Sequence, residues 1–225
     1  MPKKAGVVFV IAGAVLIISA LLLYLYNQNE EAKADEYSQT VLLDVMAEIK
    51  PPVTEQPEST SPETGPAESQ NEPEETEPIS SEMTVVTIDG YDYIGYLSIH
   101  ELGLELPVMS DWTYAQLQLC PCRHVGSTKT DDLVIAAHNY YNHFGQIKSL
   151  PIDSLVSFTD MDGYVTQYAV SKIETLPPTA VESVLHSDYD LILYTCTYGG
   201  RSRIAAFCNR IEKSKFWDNL IYQDE

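Results

Sequence analysis

The chain has 225 residues, with 13 Lys and Arg against 33 Asp and Glu and a formal net charge of −20 at pH 7. Nearly half of that charge comes from residues 51–83, which carry nine Glu and no Lys or Arg. An acidic chain of this kind lacks the basic face that binding to nucleic-acid phosphates requires, so nucleic acid is excluded as a partner. Its four cysteines are too few for a disulfide scaffold in a chain of this length.

The first element is an apolar run from Ala5 to Tyr26, 22 residues without a charge. At about 1.5 Å per residue, a helix of this length spans about 33 Å, enough to cross a bilayer core. Lys3 and Lys4 precede the run, which predicts a cytoplasmic N-terminus and an extracytoplasmic location for the rest. A cleaved signal peptide is the alternative, but the run exceeds the roughly 7–15 apolar residues of such a peptide. The sequence predicts that residues 1–29 form an uncleaved single-pass anchor of the cell membrane.

The next segment, residues 30–83, divides into a short helical stretch and an acidic linker. Between Pro51 and Glu82 stand seven prolines and nine glutamates with almost no large aliphatic residues, so we predict a disordered, extended stalk. A stalk implies that the folded part works at a distance from the bilayer. The helical stretch, residues 30–50, continues out of the membrane with five apolar residues on one face: Val41, Leu42, Val45, Met46 and Ile49.

The remaining residues, 84–225, suffice for one modest core and show mostly short strand patterns. Short helices are predicted at 113–119 and 144–150. Many short strands with one or two small helices predict a mainly β domain, a closed or nearly closed β-barrel. The predicted strands are 93–99, 102–109, 133–137, 156–158, 164–176, 191–196 and 203–211.

Two of the predicted buried strands lead directly into a reactive side chain. Residues 133–137 run into His138, and residues 191–195 run into Cys196. After a glycine pair, Arg203 begins the last predicted strand, and a tight turn there would bring Arg203 back beside Cys196. A thiolate that attacks, an imidazole that moves protons and a guanidinium that stabilises an oxyanion are a set for acyl transfer.

At these residues the sequence resembles the sortases, membrane-anchored cysteine transpeptidases of Gram-positive cell surfaces. The family's Thr-Leu-x-Thr-Cys stands here as Ile192-Leu193-Tyr194-Thr195-Cys196, and Ala136-Ala137-His138 stands where the family usually has Ala-Gly-His. The resemblance covers roughly residues 94–210 and implies a closed sortase-like β-barrel of about eight strands. It also implies the catalytic set His138, Cys196 and Arg203. Arg201 competes for the arginine role, but the apolar residues 204–207 match the strand that carries the family arginine.

The mechanism that the resemblance implies begins with a surface protein that presents a C-terminal sorting signal of the Leu-Pro-x-Thr-Gly kind. Cys196 attacks the Thr carbonyl, Arg203 binds the oxyanion, and His138 protonates the departing glycine amine. An amine of a peptidoglycan precursor or a pilin lysine then resolves the acyl-thioester and receives the protein. This chemistry requires no cofactor, and whether calcium stimulates the reaction is left open.

Three alternative functions stay open from the sequence. The first is a pilin-polymerising sortase, which often carries a second C-terminal span, whereas this sequence ends in polar residues 222–225 and so favours anchoring to the wall. The second is a cysteine peptidase that only hydrolyses peptides. The third is a non-catalytic binding module on a stalk.

The other cysteines and histidines are expected to be structural or solvated. Cys120, Cys122 and His124 offer only three clustered metal ligands, so we expect no metal site there. Cys208 falls within the last predicted strand. His143 is the chief rival of His138, but it follows a polar loop instead of a buried strand. The remaining histidines fall among turn-like residues and are expected to be solvated: His100, His124 and His186.

Overall fold

The computed structural model describes residues 3–50, 82–180, 184–185 and 187–211. The predicted stalk, apart from Glu82, lies outside the described residues, as do His186 and residues 212–225. What the structure describes is one long helix and a β domain on which that helix packs.

Nine strands of the described residues form one sheet that closes on itself. Strand β2 pairs with β3 on one side and with β6 on the other, so β2 to β9 form a closed barrel of eight strands in the order β2-β3-β4-β5-β8-β9-β7-β6. Strand β1 lies outside the ring, and its one partner in the part of the chain that the structure describes is β2. The predicted closed β-barrel of about eight strands is confirmed. The strands are β1 (Val86–Ile88), β2 (Tyr91–Ile99), β3 (Leu104–Met109), β4 (Cys122–Val125), β5 (Leu133–Ala137), β6 (Leu155–Asp160), β7 (Val165–Leu176), β8 (Leu191–Cys196) and β9 (Arg203–Arg210).

The strands that lead to the predicted site are covered on both faces. Every residue of β5 is buried: Leu133, Ile135 and Ala137 face the barrel core, and Val134 belongs to an outer apolar cluster. Strand β5 runs parallel to β8, and parallel strands with two buried faces have continuous apolar sequences instead of alternating ones. This is why both strands could be bounded from the sequence without error.

Two strands were not predicted, and the predicted helices are shorter than expected. Strand β1 and strand β4 have no counterpart among the predicted strands. The helix predicted at 113–119 is a single turn, α2 (Tyr114–Leu117), whose N-terminus is capped by Thr113 Oγ1 accepting from the Gln116 amide at 3.2 Å. The turn predicted at 144–150 is a 3₁₀ turn, Ile147–Ser149.

The predicted anchor and the helical stretch after it form one continuous helix, α1 (Lys3–Glu48), of 46 residues. Its N-terminal half is apolar and exposed, with a mean hydropathy of 2.9 over an 18-residue window. In the described part of the chain it is the one helix long and apolar enough to cross a membrane, which makes it a candidate membrane anchor.

The second half of α1 packs against the barrel. Ala34, Ser38, Val41 and Val45 are buried at alternating spacings of four and three residues, which places them on one helix face. The helix contacts β2 and β3, and Val41 and Val45 pack in one apolar cluster with Tyr93, Met109, Cys120, Cys122 and Met161. The sequence interpretation placed residues 30–83 outside the folded domain. In the structure the apolar face of residues 34–49 is buried on the domain, because an exposed stripe of that width would leave apolar surface in water.

Candidate active site

The register of three neighbouring strands brings the three predicted site residues to one end of the barrel. In the parallel pair β5 and β8, Ala137 lies opposite Thr195. His138 directly follows Ala137, and Cys196 directly follows Thr195. In the antiparallel pair β8 and β9, Cys196 lies directly opposite Arg203. Adjacent strands lie about 4.8 Å apart, so the backbones at Cys196 and Arg203 are close neighbours. Because side chains alternate along a strand, Cys196 belongs with Tyr194 and Ile192 on the outer face.

Contacts around His138 hold this end of β5 in place. The buried Thr195 donates its hydroxyl hydrogen to the carbonyl oxygen of Ala137 at 2.8 Å, which ties the ends of β5 and β8 together. The amide of Phe144 donates to the carbonyl of His138 at 3.2 Å. The ring of Tyr140 stacks on the His138 imidazole with centroids 5.0 Å apart. Sequence reasoning missed these roles of Thr195 and Tyr140, although both lie within two residues of a predicted site residue.

A tight loop returns the chain from Cys196 to Arg203. The amide of Thr197 donates to the carbonyl of Ser202 at 2.9 Å, and the amide of Ser202 donates to Thr197 Oγ1 at 3.0 Å. Gly199 and Gly200 have φ values of 76° and 69°, in the left-handed region that favours glycine. The loop is therefore a closed turn whose two ends are hydrogen-bonded to each other.

The two candidate arginines occupy different positions on this return. Arg203 is the first residue of β9, half-buried, and its Nη1 donates to the carbonyls of Gly200 and Ser202, both at 3.2 Å. Arg201 is exposed and lies in the turn before the strand. Arg203 is therefore part of the sheet, opposite Cys196 at the end of the barrel, whereas Arg201 is not part of the sheet.

Among the four cysteines, all free, Cys196 alone has a solvent-accessible side chain. Burial raises the pKa of the Cys120 and Cys208 thiols to about 12 and raises the pKa of Cys122 as well. Those three residues stay protonated at neutral pH, which agrees with the structural role expected for them. Cys196 is the cysteine whose sulfur a peptide can reach.

The two histidines near the site differ in accessibility. His138 is half-buried, and burial lowers its pKa, so the neutral imidazole predominates at pH 7. His143 is 1% exposed, and neither of its ring nitrogens has a hydrogen-bond partner among the described residues. Its pKa is lowered to about 4, first by burial and then by the charge of His138, and Asp35 opposes both effects. His143 lies where no substrate proton can reach it, so the geometry favours His138.

The expectation that His124 is a solvated turn residue is wrong. His124 lies in β4, which is bonded to β3 and to β5, and its Nδ1 is 2.6 Å from the hydroxyl oxygen of Tyr194. The ring of Trp112 contacts the same imidazole edge-on at 5.2 Å. Burial lowers the pKa of His124.

Within the described part of the chain there is no group of three or more side chains that could hold a metal ion.

Two recesses flank the end of β8. A small apolar pocket lies on the β9 side, lined by Leu176, Ala180, Val184, Tyr194 and Arg203. An open cleft of about 410 Å³ lies on the β5 side, next to His138. The cleft is lined by Tyr24, Tyr26, Asn27, Gln28, Glu30, Glu31, Gln118, His138, Asn139, Tyr140, Tyr198 and Gly199.

Comparisons with known proteins identify the family of the domain. The family model described as Sortase domain matches residues 97–211, just over half of the chain. Among solved structures, sortase C of Streptococcus pneumoniae is similar at 27% identity, with 53% of this chain and 69% of that chain covered and a TM-score of 0.48. Sortase C of Clostridium perfringens SM101 gives 23% identity, 54% and 71% coverage and a TM-score of 0.46.

Sortase A of Corynebacterium diphtheriae gives 20% identity, 54% and 62% coverage and a TM-score of 0.49. Comparison with curated proteins gave no match. The family assignment comes from the family model, which spans all three strands at the predicted site. The chain belongs to the sortase family.

Proposed function

We propose that the protein is a membrane-anchored cysteine transpeptidase that cleaves a Leu-Pro-x-Thr-Gly-like sorting signal of surface proteins and transfers them to an amine of the cell wall. The single observation that carries the proposal is the strand register at the end of the barrel. In this register Cys196 lies opposite Arg203. Ala137 and Thr195, the residues directly before His138 and Cys196, are paired with each other. A nucleophile, a proton carrier and an oxyanion donor on three rigid strand ends support acyl transfer.

In the acylation half of the proposed reaction, the sulfur of Cys196 attacks the Thr carbonyl of the signal. Arg203, whose Nη1 donates to the carbonyls of Gly200 and Ser202, stabilises the oxyanion that forms with hydrogen bonds from its guanidinium. The reacting form has Cys196 as the thiolate and His138 as the imidazolium, and His138 gives its proton to the departing amine as the C–N bond breaks. The product is an acyl-thioester on Cys196.

In the second half, an acceptor amine attacks the thioester and His138 accepts a proton from it. The new amide forms as the C–S bond breaks, and Cys196 is regenerated as a thiolate. The pocket on the β9 side is a shallow apolar recess against which an apolar side chain of the bound signal can pack. We propose that the three protein groups supply all of this chemistry and that no metal or cofactor takes part.

We propose further that the N-terminus is cytoplasmic and that the barrel lies outside the cell. The two lysines before the apolar run support this orientation. The anchor then comprises residues 1–29, the linker 30–83 and the catalytic domain 84–225, with residues 34–49 of the linker packed on the domain. Protease added outside intact cells should cut the chain after Asn27, and complete protection would refute the orientation.

The test of the function uses the full-length protein in detergent micelles and a fluorogenic signal peptide. Cys196→Ala should abolish cleavage, whereas Cys208→Ala, a change in a buried cysteine away from the site, should keep it apart from a loss of stability. Mass spectrometry should find the peptide bound to Cys196, and a thiol reagent should label Cys196 first. Retained cleavage by Cys196→Ala would refute the proposal. Addition of an amine separates transfer from hydrolysis, because a peptidase gives the same product with and without it.

A further inference from the structure

The open cleft beside His138 has helix α1 of the same chain as one of its walls. Residues 24–31 of the helix face the loop after β5 and the loop after β8 across the cleft. The helix is held there by the amide of Tyr141, which donates to Glu31 Oε1, and by its buried face further along. The cleft therefore belongs to the folded protein and includes the residue that moves protons in the proposed reaction.

The lining of the cleft has the chemistry of a site for a small organic cation. Its titratable side chains include the carboxylates of Glu30 and Glu31 and several tyrosine rings. Among the described residues that line it, none is Lys or Arg. The exposed Lys33, which does not line the cleft, pairs with Glu30 at 2.9 Å. Carboxylates form strong charge-assisted hydrogen bonds with ammonium groups, and aromatic faces attract cations.

The two recesses beside β8 differ in chemistry in a way that separates the two substrates. The pocket on the β9 side is a shallow apolar recess that includes Arg203, the proposed oxyanion donor, so we assign the signal peptide to that side. The cleft on the β5 side is polar, acidic and open, and it includes His138. The amine must meet the thioester close to the residue that takes its proton, which is the β5 side.

We propose that this cleft binds the acceptor amine and that Glu30 and Glu31 of helix α1 select a primary ammonium group. The inference rests on the proposed transpeptidase function and adds to it a substrate site that α1 helps to build. The bound ammonium first loses one proton to solvent. The neutral nitrogen then attacks the thioester carbonyl, a second proton passes to His138, and the C–S bond breaks as the amide forms.

The position of the cleft also bears on where the amine comes from. Tyr24 and Tyr26 line the cleft and end the apolar run of the candidate span. Tyrosine at this position is typical of the membrane interface. The cleft therefore opens at the outer surface of the bilayer, where both a soluble amine and an amine carried on a lipid can reach it.

The test compares the double variant Glu30→Gln, Glu31→Gln with wild-type full-length protein in lipid vesicles, using triglycine as the acceptor probe. Glutamine keeps an oxygen for the Tyr141 amide, so the contact between helix and loop is preserved while the charges are removed. The matched control is Asp44→Asn, Glu48→Gln, which removes two exposed carboxylates of the same helix outside the cleft. Aminolysis and hydrolysis of the signal peptide are measured together from the two products.

We expect the KM for triglycine to rise about tenfold in the double variant and the hydrolysis rate to stay within about twofold, since a charge-assisted hydrogen bond is lost only for the amine. The control should match the wild type. An unchanged KM for triglycine would overturn the inference. Equal losses of the aminolysis and hydrolysis products, or a rise of both, would also overturn it, because either result would mean that the helix only covers the site. Absence of any thioester in the wild type would instead refute the proposed function. Triglycine attached to a vesicle lipid, compared with free triglycine, distinguishes a lipid-borne acceptor from a soluble one.

Discussion

His143 should make the folded protein sensitive to acid, and the size of the effect follows from its burial. Its ordinary pKa is 6.5, and in the folded protein burial lowers it to about 4. Between these two values the unfolded chain binds the proton and the folded protein does not, so stability falls as the pH falls through this window. Because one pKa unit is worth about 1.36 kcal/mol, the loss at about pH 4.5 amounts to about 2.5 kcal/mol.

The perturbation that isolates this effect is His143→Phe, which keeps a planar ring beside Tyr140 and removes the titrating group. At about pH 7.5 two effects oppose each other: the variant removes two unpaired ring nitrogens, but it adds volume to a closely packed site. We therefore expect a change of only about 1 kcal/mol at this pH. Other acid-sensitive groups, such as Asp160, whose pKa is raised by burial, act equally in both proteins and cancel in the difference.

The assay is thermal unfolding of the full-length protein and the variant in detergent micelles at a series of pH values. For a protein of this size, 1 kcal/mol corresponds to about 2–4 °C in Tm. Between about pH 7.5 and pH 4.5, the wild type should therefore lose about 5–10 °C more than the variant. If the two proteins lose Tm in parallel, His143 does not titrate in the folded protein as its burial requires, and the reasoning fails.

Three further predictions concern the proposed site. Arg203→Lys should lower turnover of a signal peptide by about 10²–10³-fold, because lysine lacks the planar set of N–H donors of the guanidinium. Arg201→Ala should lower turnover much less, and the reverse order would move the oxyanion role to Arg201. The acid limb of kcat/KM should have an apparent pKa below 6.5, because burial lowers the pKa of His138, and a limb at or above 6.5 would contradict this. Thr195→Val should lower Tm by about 2–6 °C through loss of the bond to the Ala137 carbonyl, and an unchanged Tm would show that this bond does not join the strands.

The parts of the fold that the sequence predicts well are those whose burial is set locally. Strands β5 and β8 are continuous apolar runs bounded by polar residues, and each has the predicted bounds. Strand β4 contains Arg123 and His124 and has no such pattern. It becomes a strand because β3 and β5 lie on either side of it, and that neighbourhood depends on residues far away in the chain.

Strand β1 had a local signal that the interpretation did not use. Asp89-Gly90 separates β1 from β2, and both residues have positive φ values, 50° and 81°. An Asp-Gly pair between strand residues is among the strongest short-range indications of a hairpin.

The packing of α1 on the barrel could be predicted only in part. The sequence shows that the helix has an apolar face, but it does not show which surface buries that face. Its partners Tyr93, Met109 and Met161 come from β2, from β3 and from the turn after β6.

For the site, the glycine turn after Cys196 was enough to predict that Arg203 returns beside it, because the connection is short and the two strands are neighbours. The approach of His138 was expected from the resemblance, because β6 and β7 lie between β5 and β8 in the sequence. The cleft could not be predicted, because one of its walls is more than a hundred residues away from His138 in the sequence. The part that the cleft plays in the reaction stays a prediction until the Glu30 and Glu31 variants are measured.

The continuity of α1 has a mechanical consequence. From Gly6 to Glu48 there is no break in the helix, so no joint separates the part that can span the bilayer from the part that packs on the barrel. A span that tilts to match a thinner bilayer therefore turns the barrel with it. The height and angle at which the cleft faces the lipid surface are then set by membrane thickness, and the same protein presents its site differently in bilayers of different composition.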